Sequence, residues 1–417
     1  MKSRATFLSV LIFASGLGAE ERVDVSTLSG KVVCGYQGWF RCEGDGANNG
    51  WHHYAVNGSF APGSSHIEMW PDVSELPASE RFATPFRFAD GSVAEVFSSA
   101  REPVVRMHFR WMMEHGIDGV FLQRFATTAR DPRYRQPMDR ILGFTKAAAA
   151  EHGRGWALMY DLTGIRPGQI DEVIADWRRL VRSGQIDRKN DRSLFHHRGK
   201  PLVALWGLGF SDRDPMLDEW ERLIDFLRDD PECGGMALML GVPYYWRTLD
   251  RDTIPDPALF RLLGKADILS PWSVGRLGTP QDAANRVGER LRPDIARAKE
   301  LGADYLPVVF PGFSWTNLSK ARGEDAEFNA IPRLRGEFLW SQAVAAKQAG
   351  AEMLYLAMFD ELDEGTAIFK TRPDPPVGES RFLAEPGVAP DHYLRLAGAI
   401  GRMLRGELPE SFPPFAP

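Results

Sequence analysis

Eight short apolar runs punctuate the chain, each apolar at both odd and even positions, the pattern of a strand covered on both faces in a parallel sheet. They are Lys31 to Gln37, Gly119 to Gln123, Trp156 to Asp161, Pro201 to Trp206, Met236 to Leu240, Ala266 to Ser270, Tyr305 to Phe310 and Met353 to Phe359. Helical periodicity fills the intervals: Val104 to His115, Met138 to His152, Gln169 to Arg182, Pro215 to Arg228, Asp282 to Leu301, Arg335 to Ala349 and Asp391 to Arg405, with a weak segment near Pro257 to Leu263. His115-Gly116, His152-Gly153, Leu301-Gly302 and Ala349-Gly350 put a glycine where a helix stops in a left-handed turn, and a strand follows within a few residues. Short helix-to-strand links and longer strand-to-helix links predict an α/β (β/α)8 TIM barrel whose working face lies at the strand C-termini. An open doubly wound sheet is the alternative, but no Gly-x-Gly-x-x-Gly follows the first strand. The first strand-to-helix connection, Gly38 to Glu102, is far longer than a barrel needs, and loops of that length are usually functional.

Composition changes this picture in three places. Lys2 and Arg4, the apolar stretch Ala5 to Phe13 and the small residues Ala14 to Ala19 form the pattern of a signal peptide over residues 1–19. The expected product is a secreted or periplasmic protein in which residues 20–417 form a single (β/α)8 catalytic domain, since no linker-like stretch interrupts the chain after residue 103. No other stretch approaches the roughly twenty apolar residues of a membrane span. The net charge of −6 offers no basic field for nucleic acid. Twelve Trp and 25 Phe supply more aromatic surface than a scaffold requires, which suggests a ligand site. Cys34, Cys42 and Cys233 lack a paired metal spacing; Cys34 and Cys42 could close a small loop, or all three could be buried thiols.

The strand C-termini and the long first loop collect the candidate site. In order they present Tyr36, Gln37 and Trp39; Trp51, His53 and Trp70 from the loop; Gln123 and Arg124; Asp161; Trp206; Tyr244, Tyr245 and Trp246; Trp272; Trp315; and Asp360, Glu361, Asp363 and Glu364. Aromatic platforms with Asp, Gln and Arg suit sugars, which offer apolar C–H faces fringed by hydroxyls. An oligo- or polysaccharide substrate is expected, with no cofactor, because no phosphate cradle is visible. The sharpest feature is Phe359-Asp360-Glu361-Leu362-Asp363-Glu364-Gly365-Thr366 after the last strand. In a helical turn Glu361 and Glu364 would share one face, Cβ atoms roughly 5 to 6 Å apart. Two close carboxylates separate their pKa values and so provide an acid and a base; retaining glycosidases hold theirs about 5 to 5.5 Å apart. The cluster also reads as a solvated acidic helix start, or as oxygen ligands for calcium or magnesium. Gly44-Asp45-Gly46 with Asn48-Asn49 is a weaker calcium candidate that turn chemistry explains. There is no His-Glu-x-x-His and no Gly-x-Ser-x-Gly elbow around Ser314. Asn57-Gly58-Ser59 and Asn317-Leu318-Ser319 match glycan acceptor triplets.

These residues resemble glycoside hydrolase family 99 and its family 71/99-like relatives over most of the chain after residue 19. The resemblance lies in Gly35-Tyr36-Gln37-Gly38-Trp39-Phe40, Gly50-Trp51-His52-His53-Tyr54, His66-Ile67-Glu68-Met69-Trp70-Pro71-Asp72, Gly116 through Phe125, and Glu361-x-x-Glu364-Gly365-Thr366. It implies a metal-independent endo-α-mannosidase-like enzyme that retains anomeric configuration. It also implies Glu361 as the base on a sugar 2-hydroxyl that attacks C1 to give a 1,2-anhydro sugar, and Glu364 as the acid that then activates water. Asp360 stands where the family has Asn, and Leu362 where it has Trp. These changes beside the expected base leave open a carbohydrate-binding barrel without catalysis, and the acidic cluster leaves open a calcium- or magnesium-dependent glycan hydrolase or lyase.

Overall fold

The computed structural model describes residues 22–411; the expected leader lies outside the described residues. Eight strands follow the eight apolar runs: β1 (Val32–Tyr36), β2 (Gly119–Phe125), β3 (Gly155–Asp161), β4 (Lys200–Trp206), β5 (Ala237–Val242), β6 (Ile268–Pro271), β7 (Asp304–Tyr305 and Val308–Val309) and β8 (Leu354–Leu356). All neighbours in this sheet pair parallel. β7 closes it, because Asp304 in its first half pairs with Ile268 of β6 and Val308 in its second half with Tyr355 of β8. Across the interruption the Leu306 N–H donates to Leu269 O and Pro307 O accepts the Tyr355 N–H. The closed barrel expected from the sequence is the architecture observed.

The outer ring is α1 (Glu102–His115), α2 (Pro132–Glu151), α3 (Ile170–Arg182), α4 (Leu217–Asp229), α5 (Leu259–Leu263), α6 (Pro280–Arg286 and Arg292–Glu300), α7 (Glu337–Ala349) and α8 (His392–Leu404). Gly116, Gly153, Gly302 and Gly350, expected at helix stops, all have positive φ. Two helices depart most from expectation. α2 begins at Pro132, six residues before Met138, because the Asp131 side chain caps it by accepting the Arg133 N–H at 2.8 Å and Pro132 suits the first turn. The expected continuous helix Asp282 to Leu301 is split by a π turn, Val287–Leu291, just before Pro293, which has no N–H to return to Glu289.

The pleat sorts each strand's residues between two cores. Val33, Phe121, Met159, Ala204, Met239, Ile268, Val308 and Tyr355 point inward and fill the lumen. Their neighbours Cys34, Leu122, Tyr160, Leu205, Leu240, Leu269, Val309 and Leu356 point outward under the helices. The lumen is therefore solid below, and a site can open only above it. Val23, Val25 and Leu28 seal the floor, where a depression of about 720 Å³ lies among Ser26, His197, Lys299 and Glu352, at the face opposite the strand C-termini.

The 38–101 connection folds over the rim. It contains an antiparallel hairpin (Phe82–Arg87 with Val93–Val96) and packs Phe60, Trp70 and Phe86 with Phe382 from the far end of the chain. Cys34, Cys42 and Cys233 are buried free thiols, so the small disulfide loop is not formed. Among the described residues no helix is long and apolar enough to cross a membrane.

Candidate active site

After β8 the chain leaves the lumen through Phe359 and turns sharply over 362–365 rather than starting a helix. The turn is fixed from below. The buried Asp360 carboxylate accepts the backbone N–H groups of Gln37 (2.7 Å) and Gly38 (2.9 Å), clamping the end of β1 against the end of β8. This clamp brings the Gln37 side-chain amide to Glu361, where Nε2 donates to Oε1 at 3.0 Å, and Thr366 Oγ1 donates to Oε2 at 3.4 Å. From above, His53 of the long loop meets Asp363 through Nδ1 at 3.1 Å from Oδ2. Glu68 pins the loop itself. Its backbone N–H donates to Leu362 O, and its buried carboxylate accepts from Ser314 Oγ at 2.6 Å and from the Asn317 N–H. The Asn317 side chain is spent on the carbonyls of Ile67 and Arg381.

Glu361, Asp363 and Glu364 line one cavity of about 510 Å³ at the barrel's C-terminal mouth. Its walls are Gln37, Trp39, His53, His66, Gln123, Phe125, Asp161, Thr163, Trp206 and Trp272, with Leu318, Ala321 and Arg322 from the end of the short helix Thr316–Ala321. Trp206 and Trp272 meet edge to face at 5.4 Å, and Trp39 is sandwiched between His53 (3.7 Å) and Phe125 (5.2 Å). The electrostatics are those of acids removed from water. Burial, then the charges of Glu364, Asp363 and Asp360, raise Glu361 well above the carboxylate range, and the Gln37 amide works against them. Burial, with the Asp363 charge beside it, raises Glu364 to about 7; burial raises Asp363 and Asp360 to about 7 as well. Burial lowers His53 to about 3, so its imidazole is neutral beside Asp363. Arg322 is the one cation on this wall, and its charge opposes the rise at Glu364 and Asp363. Among the described residues no group of His, Cys, Asp and Glu side chains converges as a metal-holding cluster.

Of the residues expected at the site, Gln37, Trp39, His53, Gln123, Asp161, Trp206, Trp272, Glu361, Asp363 and Glu364 line this cavity. The others are placed elsewhere. Tyr36 and Arg124 stand one residue out of phase on their strands and point outward: the Tyr36 hydroxyl meets His108 Nδ1 at 3.0 Å, and Arg124 is locked to Asp176 and Asp139. Trp51 and Trp70 build the interior of the long loop, Trp51 against Phe60 and Trp70 donating to Glu95 O. Tyr244 and Tyr245 lie under Arg290 outside the cavity, and Trp246 is buried behind them. Trp315 packs on Phe313 at the start of the short helix. Asp360 is a buried clamp and does not line the cavity. The platforms thus come from the first, second, fourth and sixth strand ends, not from the fifth and seventh loops. Phe125 and Thr163 were missed although each follows a lining residue by two, the period that keeps a side chain on one face; His66 and Arg322 lie in loops with no such period.

No family model matches the chain, and no curated protein sequence does. Its structure is similar to two solved structures of the glycoside hydrolase family 99 endo-α-mannosidase from Bacteroides thetaiotaomicron. One matches with a TM-score of 0.63 and 13% identity, and the other, in complex with BIS-TRIS propane, with 0.59 and 14%; each covers 91% of this chain and 99% of that one. The two proteins share a fold. At this identity the likeness carries the fold alone, and the chemistry rests on the residues of this chain.

Proposed function

We propose that the protein is an exported glycoside hydrolase related to family 99, which cleaves an α-linked glycan, mannan-like in the first instance, with retention. The observation that carries this reading is the convergence of Glu361 and Glu364 on one cavity floored by a closed barrel and walled by Trp39, Trp206 and Trp272. Aromatic faces take the C–H faces of sugars; Gln37, Gln123 and Asp161 take hydroxyls. In the first step Glu361 removes the proton of the 2-hydroxyl, O2 bonds to C1, and the bond from C1 to the leaving oxygen breaks as that oxygen takes the Glu364 proton. In the second, Glu364 takes a proton from water, whose oxygen bonds to C1 as the C1–O2 bond breaks, and O2 recovers its proton from Glu361. The Gln37 and Thr366 hydrogen bonds to Glu361 favour its ionised form, as the base role requires.

One observation favours exchanging the roles. Glu361 is flanked by three other acids, and burial with their charges raises it well above the carboxylate range, which favours a proton on it in the free cavity. Aryl glycosides decide between them, because a leaving group that needs no protonation rescues the variant lacking the acid and not the one lacking the base. Screening purified protein against α-mannans, α-glucans and host-type glycans, with chromatography of the products, tests the function itself. Released reducing ends support it, whereas binding without products would make the chain a carbohydrate-binding barrel. Activity abolished by a strong chelator would replace the two-carboxylate reading with a metal-dependent one.

A further inference from the structure

A second cavity, of about 210 Å³, adjoins the first behind the Trp39–His53 stack, and Gln37, Trp39, His53, Gln123 and Phe125 belong to both. Its remaining walls include Arg41, Asn49, His52, Tyr134 and Met138, and among the described residues no acidic one lines it. Arg41 is 4% exposed. Its Nη1 donates to the carbonyls of Gly38 (2.8 Å) and Phe40 (3.0 Å), its Nε has no partner, and among the described residues it forms no ion pair with a carboxylate. The charges that act on it are Asp45 and Arg140. Asp45 is already committed to the N–H groups of Cys42 and Ala47 and to the Ser98 hydroxyl, and Arg140 adds a second positive charge. Asp45 therefore acts on the guanidinium only through space, and a buried guanidinium with no carboxylate in contact is costly. The same wall holds unpartnered buried atoms of both kinds: the acceptors Gln37 Oε1 and Gln123 Oε1, and the donor Trp39 Nε1.

We infer that this side cavity is a subsite for a sugar unit bearing an anionic substituent, a carboxylate, sulfate or phosphate, which pairs with Arg41. The ring lies along the edges of the Trp39–Phe125 wall, its hydroxyls donate to the two glutamine oxygens, and its anion supplies the ion-pair partner in contact that the guanidinium lacks. Arg suits each of these anions through paired N–H donors. The inference rests on the carbohydrate reading of the main cavity and adds the class of glycan: one decorated with acid groups.

Calorimetry on the full-length mature protein tests it, with glucose and mannose as neutral probes and glucuronic acid, glucose 6-sulfate and mannose 6-phosphate as acidic ones. At least one acidic probe should bind about tenfold tighter than its neutral counterpart, with an advantage that shrinks as salt rises and is lost in Arg41→Met but retained in part in Arg41→Lys. The acidic probe that wins identifies the substituent. Equal binding of acidic and neutral probes by the wild-type protein overturns the inference, and this arm does not depend on any variant folding. An acidic advantage that persists undiminished in a folded Arg41→Met overturns it too. If neutral sugars bind and neutral glycans are cleaved while acidic probes are refused, the anion subsite fails and the hydrolase reading stands; if nothing binds and nothing is cleaved, both fail.

Discussion

The two cavities at the mouth share a wall of Gln37, Trp39, His53, Gln123 and Phe125 and differ in what carries charge beyond it. On one side stand Asp161, Glu361, Asp363 and Glu364, held in the cavity by strand ends and by the turn after β8. On the other stands Arg41, delivered by the long first loop, with no carboxylate in ion-pair contact among the described residues. A barrel rim can thus separate reaction from selection. The groups proposed to move protons sit on the turn after β8, whereas the group proposed to read a decoration sits on the first insertion, and the two are tied together where His53 and Glu68 of that insertion meet Asp363 and Leu362.

The largest effect that would test this division is at the acid pair. Glu361→Gln and Glu364→Gln should each lower turnover by about a hundredfold or more, read as reducing ends released per minute; a wild-type rate from either would move the chemistry away from this cavity. Next comes pH. With Glu364 raised to about 7, its acid form is lost above that pH, so turnover should fall about tenfold for each further pH unit. A profile flat to pH 9 would break the assignment. Trp206→Ala and Trp272→Ala remove stacking faces on the acidic side only, and a rise of about tenfold in KM with a smaller change in kcat is expected from steady-state kinetics. The smallest effect concerns stability. Asp363 titrates near 7 in the folded chain against 3.8 as an ordinary side chain, so between about pH 4 and 7 the folded state binds more protons than the unfolded one, and this contribution is lost as pH rises. Asp363→Asn should gain on the wild type by on the order of 1 kcal/mol between pH 5 and 8, measured by thermal melts at the two pH values. A constant difference between the two proteins would show that Asp363 keeps its charge.

Much of the scaffold was legible in the residues because a doubly covered strand must be apolar on both faces, and every one of the eight runs became a strand. The same property hid part of the site. A run apolar at every position gives no sign of which parity faces the lumen, so Tyr36 and Arg124 looked as well placed as Gln37 and Gln123. One lumen residue on each strand would have settled it, since Val33 and Phe121 lie an even number of positions from Gln37 and Gln123. For the long loop no rule of that kind exists. Trp51 and Trp70 carry the same chemistry as Trp39, and only the packing of Phe60, Phe86 and Phe382 around Trp70 shows that it holds the insertion together instead of meeting ligand. Arg41 passed unnoticed because nothing in a lone arginine's surroundings in sequence reveals whether a carboxylate will reach it.

The position of Glu68 has a consequence for biogenesis. Its carboxylate joins residues 246 and 249 positions downstream, and its backbone bonds to Leu362 and Leu383. Contacts of such sequence separation form late, after the loop entropy of most of the chain has been spent. A nascent chain on the ribosome therefore holds no closed pocket before Leu383 has been made, and a product truncated ahead of it should be inert.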